Sequence, residues 1–402
     1  MKKPELLAPA GDMEKLQMAF NYGADAVYVG GKELSLRANA KNFDLPELKK
    51  AIDYAHSKNA KVYVSVNIFA HNHDFDGLHE YFLNLKKINT DAVIVADLGV
   101  LNVARQVSGL EIHISTQANV TNFQSASLYK ELGASRVILA RELSFKEIRE
   151  INDHKAIETE VFIHGAMCVS YSGRCLLSNY MAQGRDANRG DCAQPCRWKY
   201  QLVEELRPGE YLPVYEDERG THILNSKDLC MIGHIPELVA SGVSSLKIEG
   251  RMKTAYYVAM ATKLYRDALD DYFADPDLYA AKKDYYIKEI ERTGNRGFIT
   301  GFFENKALDG QNLSNTVYNN SQEFVGIVVD YNQNTGFALV EQRNKFSIGD
   351  ELEIVSPKGS FRQVIAEMYD QEGTPLQSAP HPQQMLQIKI EKPVGQFDIL
   401  RR

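Results

Sequence analysis

The stretch SLKIEG at 245–250 is a short apolar run closed by a glycine, and it completes a count. Seven runs of the same kind precede it: ELLAP (5–9), AVYVG (26–30), VYVSV (62–66), AVIVA (92–96), EIHIS (111–115), RVILA (136–140) and EVFIH (160–164). Each is short and bounded by polar or turn residues, and most are rich in β-branched side chains, which reads as strand. Between them lie stretches with helical spacing of apolar residues, such as DMEKLQMAFNYG (12–23), LPELKKAIDYAHSKN (45–59) and SFKEIREIND (144–153). Several close on Gly or Asn, as helix C-termini do. Eight strands alternating with helices are expected to close as an α/β (β/α)8 TIM barrel; a doubly wound open sheet is the competing arrangement.

In such a barrel the chemistry sits on the loops that leave the C-terminal ends of the strands. Those ends carry Pro9 and Gly11, Gly30 and Gly31, Asn67, Asp97, Ser115 and Gln117, Arg141, His164, and Glu249 with Arg251. The connection from about 165 to 244 far exceeds the usual two to six residues, and it contains every cysteine of the chain: Cys168, Cys175, Cys192, Cys196 and Cys230. Their spacing, C-x6-C-x16-C-x3-C-x33-C, lacks the CxxC knuckles of a zinc ribbon. Wide, irregular spacing suits an iron–sulfur cluster, whose thiolates need only converge on one inorganic core. The glycines at 165, 173, 184 and 190 would let the chain bend around it. Structural zinc, buried inert cysteines and a redox or nucleophilic thiol are the other readings of the same spacing.

With 402 residues, 44% hydrophobic and 25% charged, the chain can bury a large core and divide into two domains. No run approaches the roughly 18 apolar residues that cross a bilayer, and MKKPELLAPAGD lacks the apolar segment of a secretory signal. A cytoplasmic setting without membrane contact is therefore expected, where thiols stay reduced and act as ligands or nucleophiles rather than disulfides. The net charge of −7 argues against a generic polyanion binder but allows a local basic patch. RDANRGDCAQPCRWKY (185–200) is such a stretch: Arg185, Arg189, Arg197 and Lys199 could meet phosphates, and Trp198 or Tyr200 could stack a splayed base. A solvated charged face with one anchored aromatic is the alternative. No Walker loop is present and the GG at 30–31 lacks the third glycine of GxGxxG, so no nucleotide cofactor is expected.

Past the barrel, TAYYVAMATKLYRDALDDYFAD (254–275) and LYAAKKDYYIKEIERTG (278–294) read as two helices, and FENKALDGQNLSNTVYNNS (303–321) as a polar connector. Then five or six short strands with turns between them suggest a small closed β-barrel, and KFSIGDELEIV is similar to the β-barrel domain of translation factors. The expected organisation is a barrel domain at 1–305 with its insertion at 165–244, a linker at 306–321 and a C-terminal β-barrel domain at 322–402.

Residues Glu160 to Cys168 (EVFIHGAMC), followed after four residues by Gly173-Arg-Cys175-Leu-Leu177-Ser178, resemble the defining motif of the collagenase-like peptidase family, number 32 among peptidases of unknown mechanism. LLAPAGD (6–12), DAVYVGG (25–31), NSKDL (225–229) and KIEGRMK (247–253) are similar to that family too. The resemblance implies hydroxylation chemistry on tRNA uridine, rRNA cytidine or a quinone precursor, in several members with a [4Fe–4S] cluster. Length and tail resemble the tRNA-modifying branch most, which implies oxygen-independent C5-hydroxylation of an anticodon-loop uridine, prephenate as a small anionic hydroxyl donor and tRNA as partner; whether a second family member assists is open. Carried over by position, the implied cluster ligands are Cys168, Cys175, Cys192 and Cys230. A related pattern uses Cys192 with Cys196. Cys230 is preferred because NSKDLC is expected to head a helix, whose N-terminus favours a thiolate.

An anionic donor of that kind calls for guanidinium clamps, since Arg offers bidentate geometry. Arg37, Asn67, Arg141 and Trp198 are the candidate substrate contacts, and His164, Glu249 and Arg251 the candidate catalytic groups. His164 could transfer a proton or hydrogen-bond a cluster. Proteolysis is the competing function: the chain has no HExxH and no GxSxG, but Cys168 with His164 could imitate a cysteine-protease pair. A cluster-bearing scaffold without catalysis is the third reading.

Overall fold

The computed structural model describes residues 2–31, 42–168, 171, 175–182, 185–189, 191–195, 202–203, 211–212, 215–217, 220–222, 227–304 and 322–402. Strands β1 (Glu5–Pro9), β2 (Ala26–Gly30), β3 (Lys61–Val66), β4 (Ala92–Val95), β5 (Ile112–Ile114), β6 (Arg136–Ile138) and β7 (Glu158–Ala166) pair in parallel, each with the next. After β8 (Asp228–Cys230), strand β9 (Ser245–Ile248) pairs in parallel with β7 on one side and β1 on the other. The ring of eight parallel strands is thus closed, with helices between them, and the architecture is a TIM barrel. The strands read as unbroken apolar runs because both faces are covered: all five residues of β2 are buried.

The outer layer is α1 (Met13–Asn21), α2 (Leu45–Ser57), α3 (Leu78–Lys87), α4 (Leu98–Ala104), α5 (Phe123–Glu131) and α6 (Phe145–Asp153), with later helices completing it after a short α7 (Leu177–Met181) in the long connection. Their starts are set locally. Asp44 and Glu47 form a capping box with Pro46 in the first turn of α2, and Ser144 with Glu147 does the same for α6. In α2 the inward stripe is Leu48, Ala51, Ile52 and Ala55, three and four residues apart as the helical period requires.

Two features around β7 were not expected. β7 runs on to Ala166, past the point where β6 ends with Ile138 opposite Glu160, and the edge that β6 leaves takes β8 antiparallel with Asp228 opposite Ala166 and Cys230 opposite His164. The segment expected to head a helix is therefore strand: α8 (Ile235–Ala240) begins only after a short 3-10 turn at Ile232–His234. The second feature is a β-bulge. Lys247 pairs with Phe162 but the next residue, Ile248, pairs with His164, so β7 carries one extra residue there. A further short strand, β10 (Phe298–Ile299), joins β8 in parallel.

Beyond the barrel, α9 (Ala255–Ala274) and α10 (Pro276–Glu291) pack as a pair and carry the C-terminal domain. This domain is a seven-stranded antiparallel sheet in the order Gly359–Val364, Glu351–Ser356, Ile399–Arg401, Phe324–Asn332, Phe337–Gln342, Met385–Lys389, Met368–Tyr369, around a core that includes Val328, Val340, Ile354 and Leu386. It docks on the barrel through buried polar and apolar contacts. The Tyr22 hydroxyl donates to the carbonyl of Val355 at 2.9 Å, and Arg401 bridges Glu289 at 2.7 Å and Glu353 at 3.1 Å. Ile327, Val355 and Ile399 join the barrel's own core. The expected linker at 306–321 lies outside the described residues, and among the described ones no helix is long and apolar enough to cross a membrane.

Candidate functional site

At the C-terminal end of the barrel, four of the sequence-expected residues line one cavity: Asn67, Arg141, Glu249 and Arg251. They arrive from different strands. Asn67 follows β3 and donates from Nδ2 to the Ser115 hydroxyl at 3.2 Å. Arg141, in the loop after β6, donates to the carbonyl of Ala166 at 2.8 Å and lays its guanidinium 4.0 Å from the centre of the Phe162 ring. Glu249 and Arg251 belong to the turn after β9. The backbone of Glu249 donates to the His164 carbonyl at 2.8 Å and its own carbonyl accepts from the Tyr257 hydroxyl at 3.2 Å. Arg251 is buried.

Two glycines of the motif stretches hold this turn in place. A Cβ on Gly11 would overlap the carbonyl oxygen of Arg251, and a Cβ on Gly165, at φ +106°, would lie 2.6 Å from the carbonyl oxygen of Glu249. The loops after β1 and β9 and the end of β7 therefore meet backbone to backbone, which no larger residue permits.

The floor of the cavity is a lysine that the strand-end reading passed over. Lys247 points inward from β9, buried, with Nζ 3.1 Å from Oε1 of Glu160, itself fully buried on β7. Its ammonium also lies 4.2 Å from the Tyr28 ring centre and 5.4 Å from that of Phe162. Below, Arg136 binds Glu160 at 3.4 Å, Glu5 at 2.6 Å and Glu158 at 3.0 Å, and the Tyr63 hydroxyl donates to Glu5 at 2.7 Å. Burial alone would raise the Glu160 carboxyl, but Lys247 and Arg136 overcome it and hold it below its usual range. Burial pushes Lys247 down, against the pull of Glu160. The signal was present in the sequence: a charged residue in the middle of an apolar strand covered on both faces must find a partner inside.

His164 is a correction. Glu160 and Phe162 face into the barrel, and simple alternation would bring His164 in after them; the bulge opposite Lys247 and Ile248 turns it outward instead. Its ring packs among Tyr257, Tyr265 and Phe298, with centroids 5.3 to 5.7 Å away, and does not line the mouth cavity. Neither ring nitrogen has a hydrogen-bond partner among the described residues, and burial, with some repulsion from Lys253, lowers its pKa to about 3. A neutral, enclosed imidazole of this kind is not placed to serve the cavity as acid or base.

Of the cysteines, Cys168 is exposed just past β7, and Cys175, Cys192 and Cys230 are partly buried; all four are free thiols. The Cys192 sulfur accepts the backbone N–H of Gln194 at 3.3 Å. Cys230 lies beside the Tyr265 hydroxyl at 3.8 Å, and burial pushes its thiol up to about 11, opposite to the depression expected from a helix N-terminus. Among the described residues no three His, Cys, Asp or Glu side chains come together in a set able to hold a metal ion. Arg37, Cys196 and Trp198 lie outside the described residues.

Comparison with known proteins adds relatives to this geometry. The model of peptidase family U32 matches residues 11–312, and that of the peptidase family U32 C-terminal domain matches 320–401. The tRNA hydroxylation protein P1 of Bacillus subtilis is 42% identical over 100% of this chain and 95% of its own length. An uncharacterized protease of Methanocaldococcus jannaschii is 42% identical over 90% of each chain. The 23S rRNA 5-hydroxycytidine C2501 synthase of Escherichia coli is 36% identical over 75% of this chain, which spans 45% of that protein.

Proposed function

Because the chain belongs to peptidase family U32, we propose that it is an RNA-modifying enzyme that hydroxylates tRNA, acting at C5 of an anticodon-loop uridine without molecular oxygen and taking the hydroxyl from prephenate. The observation that carries this reading is the barrel mouth itself, where Asn67, Arg141, Glu249 and Arg251 converge in a chain similar over its whole length to a tRNA hydroxylation protein. A base in an anticodon loop is already unpaired, so it can enter the barrel mouth without the cost of opening a duplex.

The chemistry available to the residues follows from their geometry. Arg141 and Arg251 supply guanidinium donors suited to an anion, and the Ala166 carbonyl fixes the direction of Arg141. Glu249, held by its backbone between His164 and Tyr257, is the carboxylate of the cavity wall and the candidate to accept a proton from the reacting base. Asn67 with Ser115 offers a neutral pair for hydrogen-bonding a uracil edge.

Cys168, Cys175, Cys192 and Cys230 are proposed to carry a [4Fe–4S] cluster, with zinc as the alternative occupant. The donor set suits a cluster in kind: four free thiols, one already accepting a backbone N–H as cluster sulfurs do. They do not share a centre among the described residues, so the arrangement itself does not yet fit the group. When bound, a cluster would supply electron-transfer chemistry.

The peptidase reading needs a thiolate beside an imidazole. His164, turned among aromatic rings with both nitrogens unpartnered, does not make that pair with Cys168. Nucleoside mass spectrometry of tRNA from a strain lacking this protein tests the reading. Loss of a hydroxylated uridine is the expected result; unchanged tRNA would leave a peptidase or a scaffold. Iron and sulfide analysis of protein purified without oxygen tests the cluster separately, about four of each per chain being expected and zinc without sulfide rejecting it.

A further inference from the structure

The turn after β5 brings to the mouth cavity a polar atom that the fold does not use. Ser115 opens the turn, which continues as a 3-10 turn over Thr116–Ala118, and its Oγ accepts the backbone N–H of Gln117 at 3.3 Å. The Thr116 hydroxyl donates to the carbonyl of Leu139 at 3.2 Å, and Asn119, at φ +54°, donates from Nδ2 to the carbonyl of Gln117 at 2.9 Å. The backbone of Gln117 is therefore fixed from both sides. Its side-chain oxygen is not: Gln117 is only 8% exposed, lines the cavity, and its Oε1 has no hydrogen-bond partner. An orphaned buried acceptor is a cost to the fold that a donor from a ligand removes.

A donor without an acceptor stands on the same turn. Ser115, also buried and lining the cavity, uses its Oγ to accept from Gln117 and from Nδ2 of Asn67 at 3.2 Å, and its own O–H has no acceptor among the described residues. The rings of Tyr28 and Phe162, with Ile94 and Ile138, line the same space, which suits a flat apolar ring with polar groups on its edge. A planar ligand that satisfies both groups carries a carbonyl beside an N–H. Uracil has that edge in its C2 carbonyl and N3–H.

We propose that Gln117 is the residue that reads the uracil base: its amide oxygen accepts N3–H, while the Ser115 hydroxyl donates to the C2 carbonyl. The choice of uracil among rings with such an edge rests on the RNA-hydroxylation reading; the demand for an N–H does not. In the pyrimidine ring the C2–N3 bond lies opposite the C5–C6 bond. β9 stands three places from β5 round the eight parallel strands, nearly across the barrel. A base held by this edge at the β5 turn therefore directs C5 toward the turn after β9, where Glu249 and Arg251 line the cavity.

The test is fluorescence anisotropy of the full chain with three RNA hairpins, identical except at one loop position that carries uridine, 3-methyluridine or an abasic ribose. The methyl group replaces the hydrogen that Gln117 is to accept. The wild-type chain is expected to bind the uridine hairpin about ten-fold or more tighter than either of the others. Gln117→Leu keeps the bulk of the side chain and removes the acceptor. It is expected to bind all three hairpins within about three-fold of one another, and the abasic hairpin as wild type does, which a distorted mouth would not. Equal binding of the three by wild type, or no binding of any, overturns the proposal, as does a folded Gln117→Leu chain that keeps the preference for uridine. The wild-type comparison stands even if the variant does not fold. Absent discrimination in a protein whose deletion removes hydroxylated uridine from tRNA refutes the site alone; Gln117-dependent discrimination with tRNA unchanged by the deletion refutes the enzyme reading alone.

Discussion

Nζ of Lys247 and Oε1 of Glu160 stand 3.1 Å apart in the middle of the barrel, on neighbouring strands, and neither is reachable from the barrel's outer layer. Removing one member of a buried pair costs more than removing both, because the remaining charge has no water to turn to. Glu160→Gln leaves Lys247 and Arg136 without their shared carboxylate, and we expect it to lower the unfolding free energy by about 3–5 kcal/mol. The double variant Lys247→Met with Glu160→Gln should regain most of that. Urea denaturation of the three chains measures it, and a Glu160→Gln variant as stable as wild type would contradict the pairing.

Gly165 is held at φ +106° with the Glu249 carbonyl where a side chain would begin. Gly165→Ala therefore meets both backbone strain and a collision, and we expect a loss of about 1–3 kcal/mol together with weaker activity from a displaced Glu249. Gly395 is the control, since nothing lies within 4 Å of its Cβ position and its φ is unrestricted. Gly395→Ala should be neutral or slightly stabilising through the unfolded chain. Thermal melts of the two variants side by side separate the cases.

His164 gives a pH dependence with a definite sign. Its folded-state pKa, about 3, lies below the unfolded value of roughly 6.5, so the unfolded chain binds the extra proton. Its contribution is complete above about pH 6.5 and is lost as pH falls toward 3, at about 1.4 kcal/mol per unit. In His164→Phe that loss should vanish, while the ring still fills the space among Tyr257, Tyr265 and Phe298. Denaturation at pH 7 and pH 5 reads the difference between variant and wild type; equal pH slopes would refute the burial of a neutral imidazole.

Arg401 joins the two domains, fully buried between Glu289 of α10 and Glu353 of the C-terminal sheet. Arg401→Met removes the cation that the two carboxylates share, leaving Glu289 to Arg292 and Glu353 to Arg362. We expect calorimetry to show the C-terminal domain melting ahead of the barrel, and limited proteolysis to cut the chain between them. A single transition at the wild-type temperature would mean that apolar contacts alone hold the domains together.

The barrel is readable in the sequence because its strands are buried on both faces, which leaves continuous apolar runs between helix signals: ELLAP and AVYVG coincide with β1 and β2 residue for residue. β8 is not. Asp228–Cys230 is three residues long and pairs along the edge that β7 keeps open by outrunning β6, a fact about pairing rather than local preference. His164 was misplaced for a related reason, since a bulge in the register reverses the face of every residue after it and leaves no mark in composition. The rim residues Asn67, Arg141, Glu249 and Arg251 were found because strand ends define the mouth. Lys247 and Glu160 lie inside the strands, below the ends that define the mouth, and so carry no strand-end signal.

Hydroxylation at the barrel mouth rather than at the buried histidine is measured most directly by complementation. A strain lacking the protein would receive the wild-type chain, Arg251→Met or His164→Phe, and hydroxylated uridine in its tRNA would be quantified by mass spectrometry. Wild type and His164→Phe should restore the nucleoside, and Arg251→Met should leave it at least ten-fold lower with the protein still folded. Full restoration by Arg251→Met, or loss confined to His164→Phe, would contradict the account.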